Sequence, residues 1–162
     1  MTLGPIIGIV VVALGGLWLL RAINAGRTGG WVDPDDPAIA AAQAEAQSTL
    51  PAFFDRLERP QSGELDFMLK FRLRSGDDAE QIWAEQIARN GDRLSGRLAN
   101  SPRLRGYSEG QEVEIPREDI LDWGYRQGGV MQGHFSTRAL MPQMPRKVAA
   151  HICRQFGWDP PG

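Results

Sequence analysis

Phe67-Met68-Leu69-Lys70-Phe71-Arg72-Leu73-Arg74 (FMLKFRLR) decides the fold, because its apolar residues recur at every second position. Phe67, Leu69, Phe71 and Leu73 fall on one side, and Met68, Lys70, Arg72 and Arg74 on the other. That is the period of a half-buried strand, whose successive side chains point to opposite faces. Downstream, Ser75-Gly76-Asp77-Asp78 reads as a turn, and a second strand carrying Trp83 is predicted over Gln81 to Ala88. Asn90-Gly91-Asp92 is a strong hairpin signal, with Leu94, Gly96 and Leu98 alternating on the return. A loop from Asn100-Ser101-Pro102 runs to Gly110, and Val113 with Ile115 forms a short strand closed by Pro116. Trp123 and Tyr125 precede a Gly128-Gly129 turn, after which Met131 to Ala139 is predicted to be extended again. Short strands separated by turns about every 8 to 12 residues predict a small, strongly bent antiparallel sheet or a barrel.

Helical patterns flank this region, so the fold class is α+β. Asp36-Pro37 supplies an N-cap and a first-turn proline ahead of the alanine-rich AIAAAQAEAQ. A second helical segment near Ser48 places Leu50, Phe53, Phe54 and Leu57 on one face, and Pro60 ends it. At the other end Met144, Val148, Ile152 and Phe156 share a helical face, and Pro160-Pro161 stops it.

The N-terminal segment differs in kind. No charged side chain precedes Arg21, and Leu3 to Leu20 (LGPIIGIVVVALGGLWLL) is apolar throughout. As a helix it spans roughly 27 Å, close to the ~30 Å hydrocarbon thickness of a bilayer. The reading is a transmembrane anchor that contacts lipid through residues 3–20, with Trp18 near the interface. Arg21 and Arg27 follow the span and no positive charge precedes it, which places the N-terminus outside and the domain in the cytoplasm. The alternative is an exported domain released by signal-peptide cleavage after Ala25, for which the positive n-region is missing. The layout is then an anchor over 1–25, a Gly/Pro/Asp-rich linker over 26–37, and a helical lead-in over 38–60. A β-rich domain over 61–141 and a C-terminal helix and tail over 142–162 complete it.

Charge narrows the functional classes. With 18 basic and 20 acidic residues and no basic cluster, the chain lacks the electrostatic footprint of a nucleic-acid binder. Cys153 is the only cysteine, which excludes an internal disulfide and a paired-cysteine zinc site. No cofactor fingerprint is present.

Several pieces in fixed order carry a family resemblance. They are FMLKFRL, Trp83, Gly91-Asp92-Arg93-Leu94-Ser95-Gly96, Leu98-Ala99-Asn100-Ser101-Pro102, Gly110 with Val113, Ile115-Pro116, Asp119-Ile120-Leu121-Asp122-Trp123, and Gly133-His134-Phe135-Ser136-Thr137-Arg138-Ala139-Leu140. Together they resemble the uncharacterised bacterial family catalogued as domain of unknown function 2314, over about two thirds of the chain. Leu50-Pro51-Ala52-Phe53 is similar to its usual lead-in. Gly124 departs from the larger apolar residue the family tends to have there, and Ser136 replaces a threonine. The resemblance implies a shared fold and no particular reaction.

Candidate chemistry is sparse. Asp119 and Asp122 are paired carboxylates three residues apart, and with His134 they form the available acid–base set. The competing structural roles are a turn cap for Asp119 and a backbone hydrogen bond that sets Trp123 for Asp122. Trp83, Asn100, Trp123 and Tyr125 are the candidate ligand-binding residues, against which stands the tendency of aromatics in a small domain to be core. His151 and Cys153 lie two apart on a helix and so face different ways, and Cys153, at the edge of the apolar stripe, reads as a buried, inert thiol. No metal-ligand spacing occurs. Three readings follow: a membrane-tethered, non-catalytic binding or scaffold domain with a protein partner, an enzyme built on the carboxylate and histidine set, or an inhibitor or immunity-type partner of another protein.

Overall fold

A computed structural model describes residues 36–159. The N-terminal anchor and its orientation lie outside these residues, as does all of the linker except its last two positions. Among the described residues no helix is long and apolar enough to cross a membrane.

Helix α1 (Pro37–Glu58) begins as the sequence reading expects, with the Asp36 carboxylate accepting the Ala38 amide at 2.8 Å and proline in the first turn. It is a single helix where two segments were expected. Pro51 is inside it but on its exposed side, and Leu50, Phe53 and Phe54 are buried on the other.

Strands β1 (Glu64–Ser75), β2 (Asp78–Asn90), β3 (Arg93–Leu98), β4 (Glu112–Glu114), β5 (Ile120–Gln127) and β6 (Val130–Gly133) form one sheet in the order β4-β3-β2-β1-β5-β6. Every neighbouring pair is antiparallel. Gly91 and Asp92 make the two-residue connection between β2 and β3, with Gly91 at φ 62° as a primed hairpin turn requires. The sheet is open, so the barrel alternative does not hold. Its register shifts at Asp66–Phe67 in β1, Gln86–Ile87 in β2 and Leu121 in β5. Asp66 and Gln86 take positive φ there, the left-handed backbone that one class of β-bulge uses.

The two faces of β1 have different partners. Leu69, Phe71 and Leu73 join Ile82, Ala84, Leu98, Ile115 and Trp123 in a core covered by Leu50, Phe53 and Phe54 of α1. On the opposite face Met68 and Trp83 pack with Ala149, Ile152 and Phe156 of the last helix, α3 (Arg146–Phe156). Here a second core covers part of the face that binary alternation marks as solvated. Cys153 is buried in α3, as expected.

The region after β6 departs from the sequence reading. Only Val130–Gly133 is extended, and Phe135–Leu140 is a short helix, α2. The chain reverses direction at Gly133 (φ 70°) and His134 (φ 52°), both left-handed. α2 bridges the cores, with Phe135 against the first and Leu140 in the second.

Candidate functional site

Three strands bring polar and aromatic groups into one transverse row on the α3 side of the sheet. Lys70 on β1 pairs directly with Trp83 on β2 and with Asp122 on β5. Directly paired residues present their side chains on the same face. His134 completes the group, its ring stacked on Trp83 with centroids 4.3 Å apart and tilted against Phe156 at 4.8 Å.

Asp122 is almost completely buried and accepts four hydrogen bonds. Donors are the amides of Trp123 (2.8 Å), Phe135 (3.2 Å) and Ser136 (2.9 Å), and the Ser136 hydroxyl. Two of these amides are first-turn donors of α2, which lacks a side-chain cap of its own. The carboxylate therefore caps that helix from another strand, where free N–H groups and the helix dipole favour negative charge. Burial nevertheless raises the Asp122 carboxyl above its ordinary range, opposed by the Ser136 bonds and the nearby Lys70. The backbone bond to Trp123 is the structural role expected from sequence.

His134 is fully buried, and neither ring nitrogen has a hydrogen-bond partner. Desolvation, with Lys70, Arg138 and Arg126 adding repulsion, pushes its pKa down to about 3. The imidazole is a neutral ring packed between two aromatics, with no hydrogen bond to Asp119 or Asp122. Room for it exists because residue 124 is glycine: a Cβ there would stand 2.3 Å from the imidazole Cδ2.

Asp119 sits apart from this row. It ends a short 3-10 turn (Arg117–Asp119) and binds Arg74 through Nε and Nη2, with Arg72 at 3.6 Å. The Arg74 bonds hold its carboxyl below the usual range. The three residues with acid–base potential are thus not brought together around a shared opening.

The four candidate ligand residues are divided by the sheet. Trp123 and Tyr125 stack on the α1 side with Phe67, and the Trp123 indole donates to Ala46 O at 3.1 Å and Thr49 Oγ1 at 3.2 Å. Trp83 lies on the far side. Asn100 is buried just beyond β3, and its Oδ1 has no partner. Core packing accounts for the aromatics, as their size favours. Among the described residues no group of three or more His, Cys, Asp or Glu is placed to hold a metal.

Sequence reasoning missed Lys70 and Ser136 as site residues. A lysine on the strand face opposite the evident core was the available signal for the first. Ser136 carried none, because its partner lies fourteen residues upstream across a hairpin.

The two edges of the sheet also differ. On β6 the Met131 carbonyl accepts from Trp158 Nε1 (2.7 Å) and Arg138 Nη2 (3.2 Å), and the Gly133 carbonyl accepts from Arg138 Nε (3.1 Å). The guanidinium of Arg138 lies over the Trp158 ring at 3.8 Å. Side chains therefore occupy the carbonyls by which a further strand would pair. β4, at the opposite edge, is three residues long and begins and ends with the exposed Glu112 and Glu114.

A family model described as "Uncharacterized protein conserved in bacteria (DUF2314)" matches residues 36–159. The chain is 29% identical over 138 residues to a putative ankyrin repeat protein, NMB1133/NMB1171, of Neisseria meningitidis serogroup B, covering 80% of this chain and 54% of that protein. It is 25% identical over 126 residues to the uncharacterised protein YegJ of Escherichia coli K12, covering 77% and 79% respectively. The chain thus spans about half the length of the Neisseria relative. No solved structure matches.

Proposed function

We propose, for a chain that belongs to this bacterial family of uncharacterised proteins over residues 36–159, a role as a membrane-tethered, non-catalytic binding domain with a protein partner. The observation that carries the reading is the use made of its carboxylates. Asp122 is fully engaged in capping α2, and Asp119 is closed by Arg74. Neither is left to exchange protons with a substrate, and His134 is sealed from solvent as a neutral ring.

The geometry also favours one place for the partner. With the β6 carbonyls occupied by Arg138 and Trp158, β4 is the edge on which an extended segment could add as a further strand. Glu112 and Glu114 there favour a segment bearing Lys or Arg. The apolar run Leu3 to Leu20 supplies the tether, and the arginines that follow it favour a cytoplasmic domain.

Photo-crosslinking from within the full-length chain in cells tests this. A crosslinker at position 112 is expected to trap a discrete protein, and one at position 132 beside the capped edge to trap none. Turnover of a small molecule without any crosslinked partner would overturn the reading. A reporter fused to the C-terminus is expected to be active only in the cytoplasm.

A further inference from the structure

The chain contains sixteen arginines and two lysines, Lys70 and Lys147. Lys147 is exposed on α3, whereas Lys70 is half-buried in the middle of the sheet. Only lysine among the permanent cations can shed its proton, and arginine stays charged wherever it is placed. The interior position is therefore held by the one basic side chain capable of acting as a free amine.

Its surroundings grade from closed to open along the strand. Met68, Trp83, Asp122 and His134 are buried on its covered side. Arg72, two residues further along the same face, is only partly covered, and Gln81, paired with it, is exposed. Lys70 thus stands at the rim where the cover from α3 gives way to solvent.

We propose that Lys70 is the covalent anchor of a small-molecule site, where its amine condenses reversibly with a small anionic carbonyl compound of the oxo-acid class. The Lys70 nitrogen donates its lone pair to the carbonyl carbon, and the C=O π pair moves to oxygen, which takes a proton. The resulting carbinolamine loses its hydroxyl as water and the nitrogen loses a proton to solvent, leaving C=N. One water is released and nothing is oxidised or reduced. Arg72 is placed to receive the carboxylate, about 7 Å along the strand by the rise of two residues. Its contact with Asp119 is the long one at 3.6 Å, while Arg74 makes the close hydrogen bonds, so its guanidinium retains donors. Burial lowers the lysine pKa against the opposing pull of Asp122, which increases the free-amine fraction.

This is binding without turnover and is independent of the sheet-edge contact, so either can fail alone. The test uses the full-length chain in detergent at pH 7, with glyoxylate as probe and cyanoborohydride to trap the imine. Peptide mass mapping follows modification of the two lysines. Lys70 is expected to be modified several-fold faster than the exposed Lys147, since a lowered pKa raises its free-amine fraction at pH 7. The preference is expected to vanish in urea. Equal or faster modification of Lys147 in the folded protein overturns the proposal. In an Arg72→Gln variant, trapping of glyoxylate is expected to slow several-fold while trapping of uncharged propanal is unchanged. Equal slowing of both would overturn the assignment of Arg72.

Discussion

The imidazole of His134 lies directly over Gly124, so that a methyl group at position 124 would overlap Cδ2 and Nε2 of the ring at 2.3 and 2.5 Å. Two strands and the start of α2 are held at a spacing that a β-carbon would destroy. Gly124→Ala is expected to destabilise the domain by about 1–3 kcal/mol, the usual cost of overpacking a core. Urea denaturation measures it. Adding His134→Asn, which removes most of the ring and keeps a residue tolerant of positive φ, is expected to recover part of that loss. Strict additivity of the two changes would contradict the contact.

The same histidine makes stability depend on pH. Its pKa is about 3 in the folded chain against the ordinary 6.5, so the unfolded chain binds the extra proton first. The contribution is complete above about pH 6.5, is lost as pH falls, and is exhausted below about pH 3. The full span is on the order of 5 kcal/mol. Asp122 works in the opposite sense: its raised pKa means that stability declines as pH rises from the unfolded value of 3.8. Denaturation midpoints measured from pH 7 to pH 4 are expected to fall for the wild type and to flatten in His134→Asn.

Removing the Asp122 acceptor strands three amides and a hydroxyl at once. Each buried unsatisfied donor costs about 1–3 kcal/mol, and Asp122→Ala is expected to lose at least about 3 kcal/mol. Asp122→Asn keeps an acceptor oxygen and is expected to cost less. Equal losses for the two variants in urea melts would mean that packing, and not capping, sets the cost.

Trp158→Ala removes one donor from the Met131 carbonyl and the ring beneath Arg138. With β6 less protected, the variant is expected to self-associate at concentrations where the wild type does not. Light scattering on detergent-free protein lacking the apolar N-terminal segment would show this, and an unchanged monomer would remove the capping role.

The legible part of the fold was the part encoded by neighbours. Alternation in FMLKFRLR marked both faces of β1, and the Asn90-Gly91-Asp92 turn placed the second hairpin. Asp36-Pro37 opened α1. The helix after β6 was not legible, because Phe-Ser-Thr-Arg-Ala-Leu carries β-branched and polar residues and no local cap. What starts it is a carboxylate thirteen and fourteen positions upstream. For the same reason Asp122 and His134 read as members of a candidate acid–base set with Asp119. Their type and spacing were visible, but the commitment of one and the burial of the other depend on contacts made in three dimensions. The second core was hidden similarly, since Met68 and Trp83 meet α3 only after the chain has passed through at least five further elements.

The four-donor grip of Asp122 has a consequence for local opening. The amides of Trp123, Phe135 and Ser136 belong to two separate elements, yet one side chain fastens all of them. Loosening that carboxylate frees them together, so β5 and the start of α2 form one opening unit. In hydrogen-exchange measurements these three amides are expected to share a single protection free energy, despite lying on different elements. They are expected to lose protection as a group in Asp122→Ala. The domain's weakest and strongest regions are then divided along the line of a side chain's bonds, across the boundaries of its strands and helices.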